Sequence, residues 1–375
     1  MNYSKFKILF ICILLLHCGD LMSQNKNSEK RYNISFGNMD ENREANINIG
    51  LSGDADTLRG VQFELFSSVV RSEGHGLSNG IFTALTRKNF SGVQLSAINN
   101  MIGGKMSGVQ ASAISSIASR VSGVQAAGMN NVCVRNLKGL QLGGISNTAF
   151  GVEKGAQISG IMNVCANEMN GFQFAVFNYC DTIKGNQLGV VNICVSHPKG
   201  VQVGIVNYAR TDSSANYNET EWEFPLRNKK IGLVNISNKT KIQMLLYGGN
   251  STRINIAARF LNPKTYSVLG LGTHYMGLSK DFSGSAFYRT GLWIAPTQKT
   301  ILSSDLGFYH IETFENADES TPERLYSLQG RVNFEYKVKS VFSLFFSCGY
   351  GMTRYYNQNE FYRKRFLFDA GIILF

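Results

Sequence analysis

Gly-x-Gln recurs along this chain at Gly60, Gly92, Gly108, Gly123, Gly139, Gly155, Gly171, Gly185 and Gly200, and Gly76 keeps the same phase with Ser78 in the Gln position. The steps are 16, 16, 16, 15, 16, 16, 16, 14 and 15 residues. A last unit, 228-NKKIGLVNISNK-239, keeps only the second half of the pattern and follows a polar insertion, 211-TDSSANYNETEWEF-224. About eleven units of 14–16 residues therefore occupy 60–239. A unit this short has room for two strands and two corners and cannot bury an apolar face alone. Stacked as coils of a β-solenoid, such units share one thin core.

An Asn follows each of the later Gln residues. The separation is six in Gln125–Asn131, Gln141–Asn147 and Gln157–Asn163, and five in Gln173–Asn178, Gln187–Asn192 and Gln202–Asn207. The extra residue predicts a bulge or a widened corner. In a stack, equivalent residues lie about 4.8 Å apart. Gln94, Gln110, Gln125, Gln141, Gln157, Gln173, Gln187 and Gln202 then form one amide ladder, and Asn131, Asn147, Asn163, Asn178, Asn192 and Asn207 a second, each side chain donating to the next. Val, Leu and Ile are expected to point into the core, and Gly to supply positive φ or close backbone approach. A flat ligand-binding face along Gln141–Gln202 is the functional alternative for the same residues. Cys165, Cys180 and Cys194 fall at nearly one coil position, which predicts a buried stack of small thiols; a metal ladder there lacks an accompanying His. The rival architecture makes each unit one strand of a very large antiparallel membrane barrel.

After residue 240 a period of two replaces the long repeat. In 325-LYSLQGRVNFEYKV-338, Tyr326, Leu328, Gly330, Val332, Phe334, Tyr336 and Val338 share one face. Strands are expected near 241–248, 252–261, 265–277, 283–295, 299–312, 325–338, 340–354 and 363–375. Eight antiparallel strands can close into a barrel too narrow for an open lumen. Arg253, Arg259, Arg289 and Arg331, with Asp305 and Glu335, are the candidate polar filling. In the last strand Phe366, Phe368, Ala370, Ile372 and Leu374 form an apolar face, while Asp369 and the terminal Phe375 fall on the other. The fold class expected is all-β: a solenoid-like stack followed by a C-terminal barrel.

At the N-terminus, Lys5 and Lys7 precede an apolar run from Phe6 to Leu16, the layout of a secretory signal over 1–23. Cleavage after Ser23 competes with lipid attachment at Cys18. Residues 24–59 are expected to be entry strands or a cap before the repeat domain, 60–239, and the barrel, 240–375. Beyond the signal, Cys133, Cys165, Cys180, Cys194 and Cys348 offer no C-x-x-C pair, so neither a zinc site nor a disulfide framework is expected. The net charge of +11 is dispersed, with no aromatic-basic cluster for nucleic acid.

The block 139–210, whose units include 139-GLQLGGISN-147 and 200-GVQVGIVN-207, resembles the surface-repeat proteins of spirochaetes and Bacteroides-like bacteria, whose units read much like Gly-Val-Gln-Leu-Ala-Gly-Leu-Val-Asn. The sequel, 232–277, looks like the region that follows the repeats in that family. The resemblance covers most of the mature chain. It implies an envelope location and carries over neither an activity nor functional residues.

The His residues are scattered, with no metalloprotease spacing, nucleophile elbow, P-loop or dinucleotide fingerprint. Asp54 and Asp56 in 53-GDADT-57 are two acids without a Ca²⁺-loop pattern. The expectation is a non-enzymatic, exported, outer-membrane-anchored envelope protein with a repeat surface for structural or adhesive contacts. Its expected partners are outer-membrane lipid and envelope polysaccharide or another surface protein, without cofactor, metal or nucleic acid. A transport or channel protein built as one large barrel is the alternative.

Overall fold

The computed structural model describes residues 32–35, 41–210, 230–275, 283–313, 324–356 and 361–375. The expected signal with Cys18 and the insertion at 211–224 lie outside them.

Successive repeat units run parallel and in register. Gly108 pairs with Gly123, Gly123 with Gly139, Gly139 with Gly155 and Gly155 with Gly171. Gln173 pairs with Gln187 and Gln187 with Gln202. A single antiparallel barrel is thereby excluded for this region, since barrel neighbours alternate in direction. The coil also begins upstream of Gly60: Tyr32–Ser35 pairs parallel with Ile47–Gly50, so part of the segment expected to hold entry strands or a cap is made of rungs. The pairing breaks register between Ala118 and Val121, Cys133 and Asn136, and Cys165 and Glu168. These irregularities lie on the return side of each coil. The extra residue between Gln and Asn instead widens the opposite corner, and Asn131, Asn147, Asn163, Asn178 and Asn192 stay in register across both spacings.

The expectation that Val, Leu and Ile fill the core holds on the return side and fails on the Gln and Asn strands. Period-two alternation lets only one parity of each strand face inward, and the inward parity belongs to the amides. Every Gln and Asn of the two ladders is buried, whereas Val109, Leu142, Ile158, Phe174 and Leu188, each next to a buried Gln, are exposed. The apolar half of the interior comes from the return side. One column runs through Phe90, Met106, Val121, Leu137, Val152, Met169 and Ile183. A column of smaller residues runs through Ile102, Ala118, Cys133, Ala149, Cys165, Cys180, Cys194 and Ala209.

The C-terminal unit is a closed antiparallel barrel of eight strands: Lys241–Gly249, Thr252–Leu261, Thr265–Tyr275, Ser283–Ile294, Thr300–Thr313, Arg324–Lys339, Phe342–Tyr355 and Phe361–Leu374. Pairing of Met244–Gly249 with Asp369–Leu374 closes it. Chain entry and exit share one end with the links 262–264, 295–299 and 340–341, while the link 250–251 and the strand ends at Tyr275, Ser283, Thr313, Arg324, Tyr355 and Phe361 lie at the other.

The two units meet at the entry end. Asn262 Nδ2 donates to the carbonyl of Asn235 in the last rung at 2.9 Å, and Thr240 Oγ1 donates to Asn262 Oδ1 at 2.5 Å. Higher on the barrel, the Tyr288 hydroxyl donates to the Leu233 carbonyl at 2.9 Å. Tyr288 alternates with the buried Phe287 and Arg289, so it stands on the outer wall.

Candidate functional site

Each Gln of the first ladder donates from Nε2 to the Oε1 of the preceding rung: Gln110 to Gln94 and Gln125 to Gln110 at 3.0 Å, then Gln141, Gln157, Gln173, Gln187 and Gln202 each to its predecessor at 2.8 Å. The second amide hydrogen crosses the coil to a backbone carbonyl, as from Gln125 to Val132 at 3.2 Å and from Gln202 to Tyr208 at 3.1 Å. Because a carbonyl only accepts, it fixes which way the amide faces.

The Asn ladder runs the other way. Asn131 donates to Asn147 at 2.8 Å, Asn147 to Asn163 at 3.0 Å, Asn163 to Asn178 at 3.1 Å, Asn178 to Asn192 at 3.0 Å, Asn192 to Asn207 at 2.8 Å and Asn207 to Asn235 at 3.0 Å. The same nitrogens also donate to carbonyls across the coil, Asn131 to Leu142 at 2.6 Å and Asn147 to Ile158 at 2.7 Å. Buried amides satisfied in this way stabilise modestly each, but an interrupted ladder is costly.

The ladders end where the sequence changes. Ser116 precedes Asn131 in its column, and Asn131 Oδ1 has no hydrogen-bond partner among the described residues. Lys230 follows Gln202, and its Nζ donates to the Ile236 carbonyl at 2.8 Å, the position that Tyr208 offers to Gln202. Sequence reasoning passed over Lys230 because the last unit has lost its Gln. Burial pulls this ammonium down to about 8.

The buried ladders offer no flat Gln face to a ligand. The four stacked cysteines are equally enclosed, and burial pushes the thiols of Cys133 and Cys165 up to about 11. Asp54 accepts from Arg71, from Nε at 2.9 Å and from Nη2 at 2.5 Å, which accounts for one of the two acids considered for Ca²⁺. Glu64 went unnoticed in the sequence. It is 1% exposed, neither carboxylate oxygen has a hydrogen-bond partner among the described residues, and burial raises it from 4.5 to about 7.

What the solenoid does present is apolar. At the corner between the Gln and Asn strands one large apolar residue per rung is exposed: Phe66, Phe82, Ile98, Ile114, Met129, Ile145, Ile161, Val176, Val190, Ile205 and Leu233. From Leu77 to Tyr208, no segment running from the residue before the Gln position to the residue after the Asn position contains a charged side chain. The charges sit on the return side, where Lys184 pairs with Glu168 at 2.8 Å and Lys138 lies 3.9 Å from Glu153.

The barrel has the same inverted polarity. Its outer wall carries Ile256, Leu271, Leu292, Leu306, Val332, Phe346 and Phe366, all exposed. Its interior holds buried ion pairs. Arg289 donates to Asp305 at 2.8 and 2.6 Å, and Asp305 also accepts from Tyr266 at 2.5 Å and Asn333 at 2.8 Å. Arg259 pairs with Glu335 and donates from Nε to Gln243 at 2.8 Å. Arg331 pairs with Asp369. Of the residues expected to fill the lumen, Arg253 is instead exposed. Asp369, which interrupts the pattern of the last strand, is the carboxylate that answers Arg331. An aromatic layer closes beside them, with Phe287 stacked 4.7 Å from Tyr309 and Tyr247 edge-on 5.4 Å from Phe345. The cavity left among Arg259, Arg289, Asn333 and Glu335 is about 10 Å³, room for about one water molecule.

The fold thus defines a class, a parallel β-solenoid joined to a closed antiparallel barrel with a charged interior. No family model and no curated protein matches the chain. Among solved structures it is similar to Neisserial surface protein A (NspA), with 11% identity and a TM-score of 0.24, over 36% of this chain and 93% of that one.

Proposed function

We propose that this chain is an exported, non-enzymatic protein of the bacterial envelope, anchored in the outer membrane by its C-terminal barrel and displaying the solenoid as a structural or adhesive element. The observation that carries this reading is the barrel's polarity: apolar side chains face outward, and three Arg–carboxylate pairs sit inside. Aqueous solvent favours the opposite arrangement, and a hydrocarbon surround favours this one. Outer-membrane barrels turn their short links to the periplasm, so the solenoid, which enters at the short-link end, would be periplasmic. Envelope polysaccharide or another envelope protein would meet its charged return side.

The test is membrane fractionation of the expressed chain with heat-modifiable gel mobility. A barrel in the outer membrane runs faster unheated than boiled; recovery in the soluble fraction overturns the reading. Because the lumen is filled, planar bilayers containing the purified protein are expected to show no stable conductance, and stepwise openings would support a channel instead.

A further inference from the structure

We infer that the uncharged corner of the solenoid is itself a membrane surface, immersed among the phospholipid acyl chains of the leaflet on the barrel's short-link side, so that the solenoid lies along the membrane instead of hanging free below it. This rests on the barrel being the membrane anchor.

Three observations lead there. The corner column is exposed and apolar in every rung from Phe66 to Leu233, a run of about eleven rungs or roughly 50 Å at strand spacing. Contiguous apolar surface of that extent, backed from Leu77 to Tyr208 by Gln-to-Asn segments without charge, marks a lipid or protein contact. The column is also continuous with the barrel's outer wall. Its last member, Leu233, takes a hydrogen bond from Tyr288 on that wall, and the neighbouring outward Ser267 is 6% exposed. The last rung is therefore docked beside the barrel, not beneath its rim, and its corner shares the layer that the barrel wall offers to lipid. Finally, from Gln94 to Gln187 and from Asn147 to Asn192 the amides behind the corner satisfy one another and the coil backbone, so those amides need no water when the corner leaves it. The charged side chains stay on the opposite edge, as in interfacial helices that lie in a membrane plane. A second copy seated on the column would have to displace the lipid that an anchored barrel wall would hold where the column ends, at Leu233.

The experiment uses the full chain in nanodiscs made with phosphatidylcholine that carries a diazirine in its acyl chain, followed by photolysis and peptide mass spectrometry. Adducts are expected on the barrel wall and equally on corner peptides around Ile145 and Ile161, with none at Lys138 or Lys154. In the double variant Ile145→Asp and Ile161→Asp, the corner adducts are expected to be lost while those on the barrel remain. Adducts confined to the barrel overturn this inference and leave the anchor standing. Absence from both overturns the anchor as well. Disulfide trapping of Ile145→Cys between two copies, with no lipid adduct at the corner, assigns the face to self-association and also overturns the inference.

Discussion

A single methyl group on Gly139 would place a Cβ 2.0 Å from the carbonyl oxygen of Gly123, on a backbone with φ of +133°. Both facts exclude L side chains: the rung below occupies the space, and the conformation is strained for anything but Gly. Gly139→Ala is expected to cost at least about 3 kcal/mol, read as a lowered denaturant midpoint of the solenoid transition by circular dichroism. Gln141→Ala attacks the ladder instead. It leaves Gln125 Oε1 without its donor and one amide hydrogen of Gln157 without its ladder acceptor. Each orphan costs about 1–3 kcal/mol, and an unchanged midpoint would contradict the ladder as a stabilising element. At Glu64 the issue is a proton. The folded chain keeps it up to about pH 7, whereas the unfolded chain releases it near 4.5, so stability falls as pH rises through that window. Unfolding midpoints at pH 5 and pH 8 should differ in this direction, and the difference should shrink in Glu64→Gln.

The strands show what could be read in advance. The long period gave stacked coils, and alternation in 325–338 gave barrel strands close to the observed ends, because both signals are repeated many times. The inner face was not legible in the same way. Alternation fixes that Gln173 and its neighbours Phe172 and Phe174 lie on opposite faces, but not which face is buried; habit assigns the apolar ones inward. Gln in a ladder and its flanking Val or Leu in the core are mutually exclusive on one strand, and the absence of charge between Gln and Asn was the available clue to which side wins. Asp369 was opaque for a similar reason, since its partner Arg331 lies two strands back, across Phe342–Tyr355, and only the register of the intervening strand brings them level. In Arg289→Ala the carboxylate of Asp305 loses both Arg contacts. Breaking such a buried pair typically costs about 3–5 kcal/mol. The variant's heat-modified band should therefore convert at a lower temperature. The enclosed Cys133, Cys165, Cys180 and Cys194 should resist iodoacetamide until the solenoid unfolds; rapid labelling of the native protein would mean that the coil opens.

The molecule holds two separate apolar clusters, one along the solenoid's return side and one within the barrel, joined by a few hydrogen bonds at the last rung. Two transitions are therefore expected in denaturant, with the fluorescence of Trp293, whose indole donates to the Asn262 carbonyl at 2.7 Å, following the barrel. Coincident transitions would show that the junction couples them. The opposed directions of the two amide ladders bear on how such a molecule can vary. Each ladder is a row of aligned dipoles, and the rows point toward opposite ends of the stack. A coil inserted or deleted adds or removes one dipole from each row, so the axial moment stays near zero at any length. Descendants of this architecture are thus free to gain or lose rungs without accumulating charge at either end.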